Sequence, residues 1–155
     1  MKIKKYLPDI VFTAIALSAG AVSSLFVSQG IAAYKSLEKP PFAPAEFLFP
    51  IIWTIIYILM GLGMGDVWRS KTPFRKTSCA VFFCQLAVNF LWPHFFFAKG
   101  MYFFSALWLF LLICLVIIMI ISFSLSSKKA AWLQVPYLVW SLFAIALNCA
   151  IAFLN

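Results

Sequence analysis

The sequence predicts an all-α integral membrane protein: a bundle of five transmembrane helices with its N-terminus in the cytoplasm and its C-terminus outside. Three observations carry this. The chain of 155 residues is 65% hydrophobic and only 10% charged, with a mean hydropathy of +1.04, more apolar surface than a soluble domain of this size can bury. Uncharged stretches run over Ile10 to Tyr34, Phe47 to Gly65, Thr77 to Ala98, Gly100 to Ser127 and Ala130 to Asn155, each close to or above the roughly 20 residues a helix needs to cross hydrocarbon. Basic residues alternate in density between the links. Lys2, Lys4 and Lys5, then Arg69, Lys71, Arg75 and Lys76, then Lys128 and Lys129 fall on one side, whereas Lys35, Lys39 and Lys99 fall on the other. Positive side chains collect on the cytoplasmic face, which sets the orientation. The net charge of +8 is then a topology signal and an attraction to anionic lipid headgroups, with no nucleic acid partner implied.

The first helix is expected over Leu7 to Ala33. Its start, MKIKKY followed by a short apolar run, has the form of a signal peptide, but the apolar stretch continues through LFVSQGIAAY to a spanning length. The link of residues 35–46 follows. Pro40, Pro41 and Pro44 fix its backbone angles and restrict the residues before them, and Phe42 and Phe47 supply aromatic anchors. Such a stiff segment suits either the lid of a pocket or an interfacial turn.

The second helix is expected over Phe47 to Trp68, with Pro50 in its first turn, where a missing N–H costs little. Trp53 and Tyr57 lie four apart on one face and read either as one wall of a pocket or as part of the interfacial aromatic belt. Gly61, Gly63 and Gly65 include one G-x-x-x-G spacing, which suits close helix packing within the chain or between subunits. The third helix, Thr77 to Phe97, carries Gln85, Asn89, Trp92 and Phe96 on one face. Its amides require partners in hydrocarbon, either other helices or a ligand. The fourth helix is expected over Met101 to Phe123 and the fifth over Ala130 to Phe153. In the fifth, Trp140, Ala144 and Asn148 repeat every four residues, a ring, a small residue and an amide on one stripe that a neighbouring helix or a flat guest would fill. The whole chain, 1–155, is one domain.

Little suggests conventional catalysis. The sequence offers no nucleophile beside a base, no phosphate loop and no chain of intramembrane carboxylates. His94 is the only histidine and suits an interfacial position, or at most an axial haem ligand. Glu46 and Asp66 sit at opposite ends of the second helix and form no acid/base pair. Cys79, Cys84, Cys114 and Cys149 form no CxxC and read as small buried hydrophobes.

Taken together, KPPFAP in the link, FLFPIIWTIIYILMG, QLAVNFLWPHFFF and AAWLQVPYLVWSLFAIALN resemble the tryptophan-rich sensory proteins of bacteria and their mitochondrial relatives, the translocator proteins (the TspO/MBR family). The resemblance runs from about Gly30 to Asn155. It implies a five-helix bundle in the cell membrane, a bacterial plasma membrane here, commonly as a homodimer. It also implies binding of porphyrins, haem-like tetrapyrroles, sterols or other flat apolar molecules in a cavity closed by the first link, with no cofactor required and no metal site. Carried over by position, the pocket takes Phe42, Phe47, Trp53, Tyr57, Asn89, Trp92, Trp140, Ala144 and Asn148, with protoporphyrin IX or haem as ligand. Phe42 and Phe47 stand where the family often has tryptophan, and Ala45 replaces a proline, so ring-edge donors are lost. Trp53 and Trp140 are the residues to connect with the light- and oxygen-dependent porphyrin breakdown attributed to some members. No basic residue follows Tyr137, which weakens a sterol-type motif.

Overall fold

The computed structural model describes residues 3–155, so Lys2 of the predicted basic end lies outside the described residues. Its helices are α1 (Ile3–Ser36), α2 (Leu48–Arg69), α3 (Arg75–Pro93), α4 (Tyr102–Ser124), α5 (Lys128–Trp132) and α6 (Val135–Leu154), and one π turn, His94–Ala98, continues α3. Five segments of this chain are long and apolar enough to cross a membrane: α1, α2, α3 with its π turn, α4, and α5 with α6. This is a multi-pass membrane protein.

Three boundaries depart from the sequence expectation. With 34 residues, α1 is longer than the predicted segment and reaches about 50 Å at about 1.5 Å per residue; Pro8 lies inside it and forgoes one ladder bond to the Lys4 carbonyl. The third helix keeps α geometry only to Pro93. Beyond it the ladder widens, and the Lys99 N–H reaches back five residues to the His94 carbonyl at 3.0 Å. The fifth helix is broken at Leu133 and Gln134. Pro136 has no N–H to offer Trp132, and the chain tightens so that the Gln134 N–H reaches only to Ala131 O, at 3.0 Å.

The helices form a ring in which α1 packs on α2 and α3, α3 on α4, α4 on α6, and α5 on α2 and α4. Aromatic side chains close the ring between α2 and α6, with Trp53 edge-on to Tyr137 at 6.0 Å and Phe49 edge-on to Trp140 at 5.9 Å.

The three glycines of α2 serve packing inside the chain. A side chain at Gly61 would strike the backbone of Thr13, and one at Gly65 the backbone of Asp9. Gly63 leaves room for the buried Gln134 amide, which donates to the carbonyls of Leu59 and Ala130, both at 3.2 Å. The cysteines correct the expectation of burial: Cys79, Cys114 and Cys149 are half-buried, Cys84 is exposed, and all four are free thiols.

One end of the bundle gathers the described basic residues of the N-terminus and of the α2–α3 and α4–α5 links. It is stapled by charges. Arg69 pairs with Asp9 of α1 and, at 2.8 Å, with Asp66, whose other oxygen accepts from Ser127 at 2.5 Å. Asp9 is buried, and its neutralisation by Arg69 is what makes a carboxylate tolerable there. At the other end, the α1–α2 link is held to the end of α6 by a reciprocal pair of 3.0 Å hydrogen bonds between the Glu38 backbone and the Asn155 side chain.

Candidate ligand cavity

Between α1, α2 and α3 lies a cavity of about 760 Å³. Its position follows from the glycine contacts. Thr13 and Asp9 seat α1 directly on α2 near the basic end, and Gly20 lets the Tyr57 ring lie against α1. Towards the other end α1 turns to the π segment, where Gly30 meets the Phe97 carbonyl so closely that any side chain would collide with it. Leaning one helix on α2 first and on the π turn later leaves a wedge between them.

The wedge has an aromatic back and a polar floor. Trp53 lies between Tyr57 and Trp92, with ring centroids 5.8 Å and 6.4 Å away, and Tyr34 packs on Phe97 at 5.3 Å. On the floor, the Tyr57 hydroxyl donates to Asn89 Oδ1 at 2.7 Å and Asn89 Nδ2 donates to the Tyr137 hydroxyl, also at 2.7 Å. Tyr137 in turn donates to Gln85 Oε1 at 3.0 Å. The two amides of α3 therefore clamp helices together, and Asn89 also faces the cavity. Glu46 closes the top, with Lys35 and Lys39 each 3.8 Å from its carboxylate and Lys39 lying over the Tyr34 ring.

The residues singled out from sequence divide into three groups. Trp53, Tyr57, Asn89 and Trp92 line the large cavity together. Ala144 and Asn148 line a separate void of about 10 Å³, behind a wall of Trp92, Phe49, Tyr34 and Phe97 that faces both spaces. This wall is latched, since Trp92 Nε1 donates to Asn148 Oδ1 at 3.2 Å. Trp140 lines neither space; it stacks on Phe143 at 5.1 Å, and its buried Nε1 has no partner among the described residues. Phe42 packs edge-on against Phe143 at 6.3 Å, while Phe47 is 65% exposed. The link thus leans its aromatic anchor on α6, and only Glu46 of it reaches the large cavity.

Sequence reasoning missed the contribution of α1. Gly20, Ser24 and Ser28 repeat every four residues and all face the wedge, beside Ser23, Val27 and Tyr34. That stripe of small and hydroxyl residues was the available signal. His94 is half-buried in the π turn, edge-on to Phe26 at 4.9 Å, and its Nδ1 has no partner among the described residues. No group of three or more His, Cys, Asp or Glu residues comes together among the described residues to hold a metal ion.

Comparison with known proteins agrees with this architecture. The model of the TspO/MBR family matches residues 12–154. The chain belongs to the TspO/MBR family. It is 36% identical over 145 residues to the tryptophan-rich protein TspO of Archaeoglobus fulgidus, covering 90% of this chain and 91% of that one. Identity is 32% to its namesake in Chlorobaculum tepidum, over 91% of both chains. To the translocator protein of Ovis aries it is 29%, over 92% of this chain and 87% of the relative. The family match therefore takes in every residue of the cavity wall.

Proposed function

We propose that this TspO/MBR protein binds a tetrapyrrole, protoporphyrin IX or haem, in the wedge between α1, α2 and α3, and acts in sensing, trafficking or disposal of that ligand. The observation that carries the reading is an aromatic-walled cavity of about 760 Å³, within the roughly 300–1,000 Å³ typical of small-molecule sites. A tetrapyrrole is flat and largely apolar, so it suits stacking on the Trp53 and Trp92 rings. Its carboxylates suit Lys35 and Lys39 at the top, in exchange for Glu46, and its polar edge suits the Tyr57 and Asn89 floor. Our reading puts it in a cell membrane, the bacterial plasma membrane, and the bias of basic residues towards one set of links supports a cytoplasmic N-terminus and an outer C-terminus. The family resemblance supports a homodimer, whose contact would use a face other than Gly61 and Gly65, which α1 already occupies.

A second reading, photochemical breakdown of the bound porphyrin with oxygen as oxidant, is favoured at Trp53, which lines the cavity and touches both Tyr57 and Tyr137. Trp140 lies one ring further back, behind Phe49. Titration of the purified protein with protoporphyrin in darkness, followed by illumination while recording absorbance, tests both. Saturable quenching of tryptophan fluorescence supports binding, and its absence in a helical protein rules the reading out. Loss of the porphyrin spectrum no faster than in a detergent blank rules out breakdown.

A further inference from the structure

We propose that the wedge opens sideways into the bilayer through a port between α1 and α2, so that its ligand is a flat apolar molecule already dissolved in the membrane rather than one arriving from water. The inference rests on reading the wedge as a ligand site and adds the source from which the site is filled.

Four observations point this way. First, every lining residue belongs to α1, α2, α3, the π turn or Glu46, with none from α4, α5 or α6. The space therefore lies at the flank of the ring. Second, the exposed members of the lining are Ala21, Ser24 and Ser28 on α1 and Pro50 and Thr54 on α2, apart from Glu46 at the top. These residues mark the two lips of the opening, on spanning segments that lipid surrounds. The buried members, Ser23, Tyr34, Tyr57, Asn89, Trp92 and Pro93, lie inward of them.

Third, the polar lips are prepared for hydrocarbon. Ser24 donates to Ala21 O at 2.6 Å, Ser28 to Leu25 O at 2.8 Å and Thr54 to Pro50 O at 2.7 Å. Each hydroxyl proton is satisfied within its own helix, so facing lipid leaves no donor stranded. Fourth, the end of the wedge nearest the link is charged where the lips are not. Glu46, the one link residue that lines the space, is held 3.8 Å from both Lys35 and Lys39, so an uncharged apolar molecule meets less desolvation between the lips than past these three groups.

The test uses Val27→Cys, half-buried on the cavity wall, in a background with the four native cysteines replaced by alanine and the protein in liposomes. Labelling is followed with an apolar maleimide that partitions into the bilayer and with a membrane-impermeant sulfonated thiol reagent. The port predicts rapid reaction with the apolar reagent, at least tenfold slower reaction with the charged one, and a further tenfold slowing of the apolar reaction by Ser24→Trp with Thr54→Trp. Leu25→Trp, an exposed position that does not line the wedge, is expected to leave the rate unchanged. Ser28→Trp alone provides a second, milder plug, and circular dichroism verifies that each variant remains helical. Equal or faster labelling by the charged reagent, no labelling by either, or no effect of the plugs overturns the port. Protoporphyrin is added in a separate arm. If it fails to protect Val27→Cys while the plugs still slow labelling, the port stands and the tetrapyrrole reading falls.

Discussion

Tyr57 and Tyr137, on different helices, are bridged by one amide: Asn89 accepts from the first at 2.7 Å and donates to the second at 2.7 Å. All three side chains are buried, and the bridge is their main source of hydrogen bonds. Asn89→Leu is expected to strand the Tyr57 proton and lower stability by about 1–3 kcal/mol. Tyr57→Phe, which removes that proton as well, is expected to recover part of the loss when combined with Asn89→Leu. Thermal melts of the two single variants and the double variant measure the coupling, and strict additivity would contradict the bridge.

Gly61 and Gly65 carry a different expectation. Alanine at either position must push back the α1 backbone at Thr13 or Asp9, an overpacking that costs about 1–3 kcal/mol. Gly63→Ala meets chiefly the end of the Gln134 side chain, whose shift strains its hydrogen bonds to Leu59 O and Ala130 O but moves no helix backbone, so its cost is expected to be smaller. The ranking is readable from detergent melting temperatures, and it would reverse if these glycines served a subunit contact instead.

Gly100 is held by its backbone and not by its surroundings. Its φ of +62° is left-handed, and the nearest atom to an added side chain is 3.7 Å away, ordinary contact. Gly100→Ala is expected to lose about 1–2 kcal/mol through conformation alone, and Gly100→Asn less, because asparagine tolerates that region. Equal losses for both would point to a steric cause.

The charged staple at the basic end is expected to behave as a unit. Arg69→Met leaves Asp9 and Asp66 without their shared cation, a loss of about 1.5–3 kcal/mol for hydrogen bonds to charged groups, lessened by the partial exposure of Arg69. Adding Asp9→Asn is expected to restore part of it. A double variant worse than the sum of the singles would remove the case for a coupled network.

For the ligand, Trp53→Phe is expected to weaken protoporphyrin binding about tenfold and Trp140→Phe much less, since only Trp53 lines the wedge. Fluorescence or absorbance titrations in darkness give both values. A larger effect at Trp140, which lines neither space, would remove the wedge as the binding site.

How far the sequence could be read depended on whether a feature was written in one helix or in the relation between several. Uncharged length disclosed the five membrane segments, and spacing by four disclosed the shared faces of Trp53 with Tyr57 and of Gln85 with Asn89. Pro93 and Pro136 lie inside segments expected as continuous helices, and regular helix fails at both; the outcome, a π turn at one and a tightened break at the other, depends on what each segment packs against. The wedge itself was the least legible part. It arises because Gly20, Gly61 and Gly65 fit α1 to α2 while Gly30 fits it to Phe97, a divergence no single periodicity contains. Asp9 was passed over because its partner Arg69 is far along the chain, and proximity of that kind leaves no local signature.

The π turn at His94–Ala98 bears on which changes of chain length this bundle can accept. It holds one residue more than an α turn requires, so removing a single residue there relaxes it to ordinary helix while α3 before it and α4 after it keep their seats. The same deletion between Gln85 and Asn89 would rotate one amide off the face they share and detach it from the tyrosines. Insertions and deletions accumulated by descent are therefore expected to gather after Pro93 and to spare the eight residues before it.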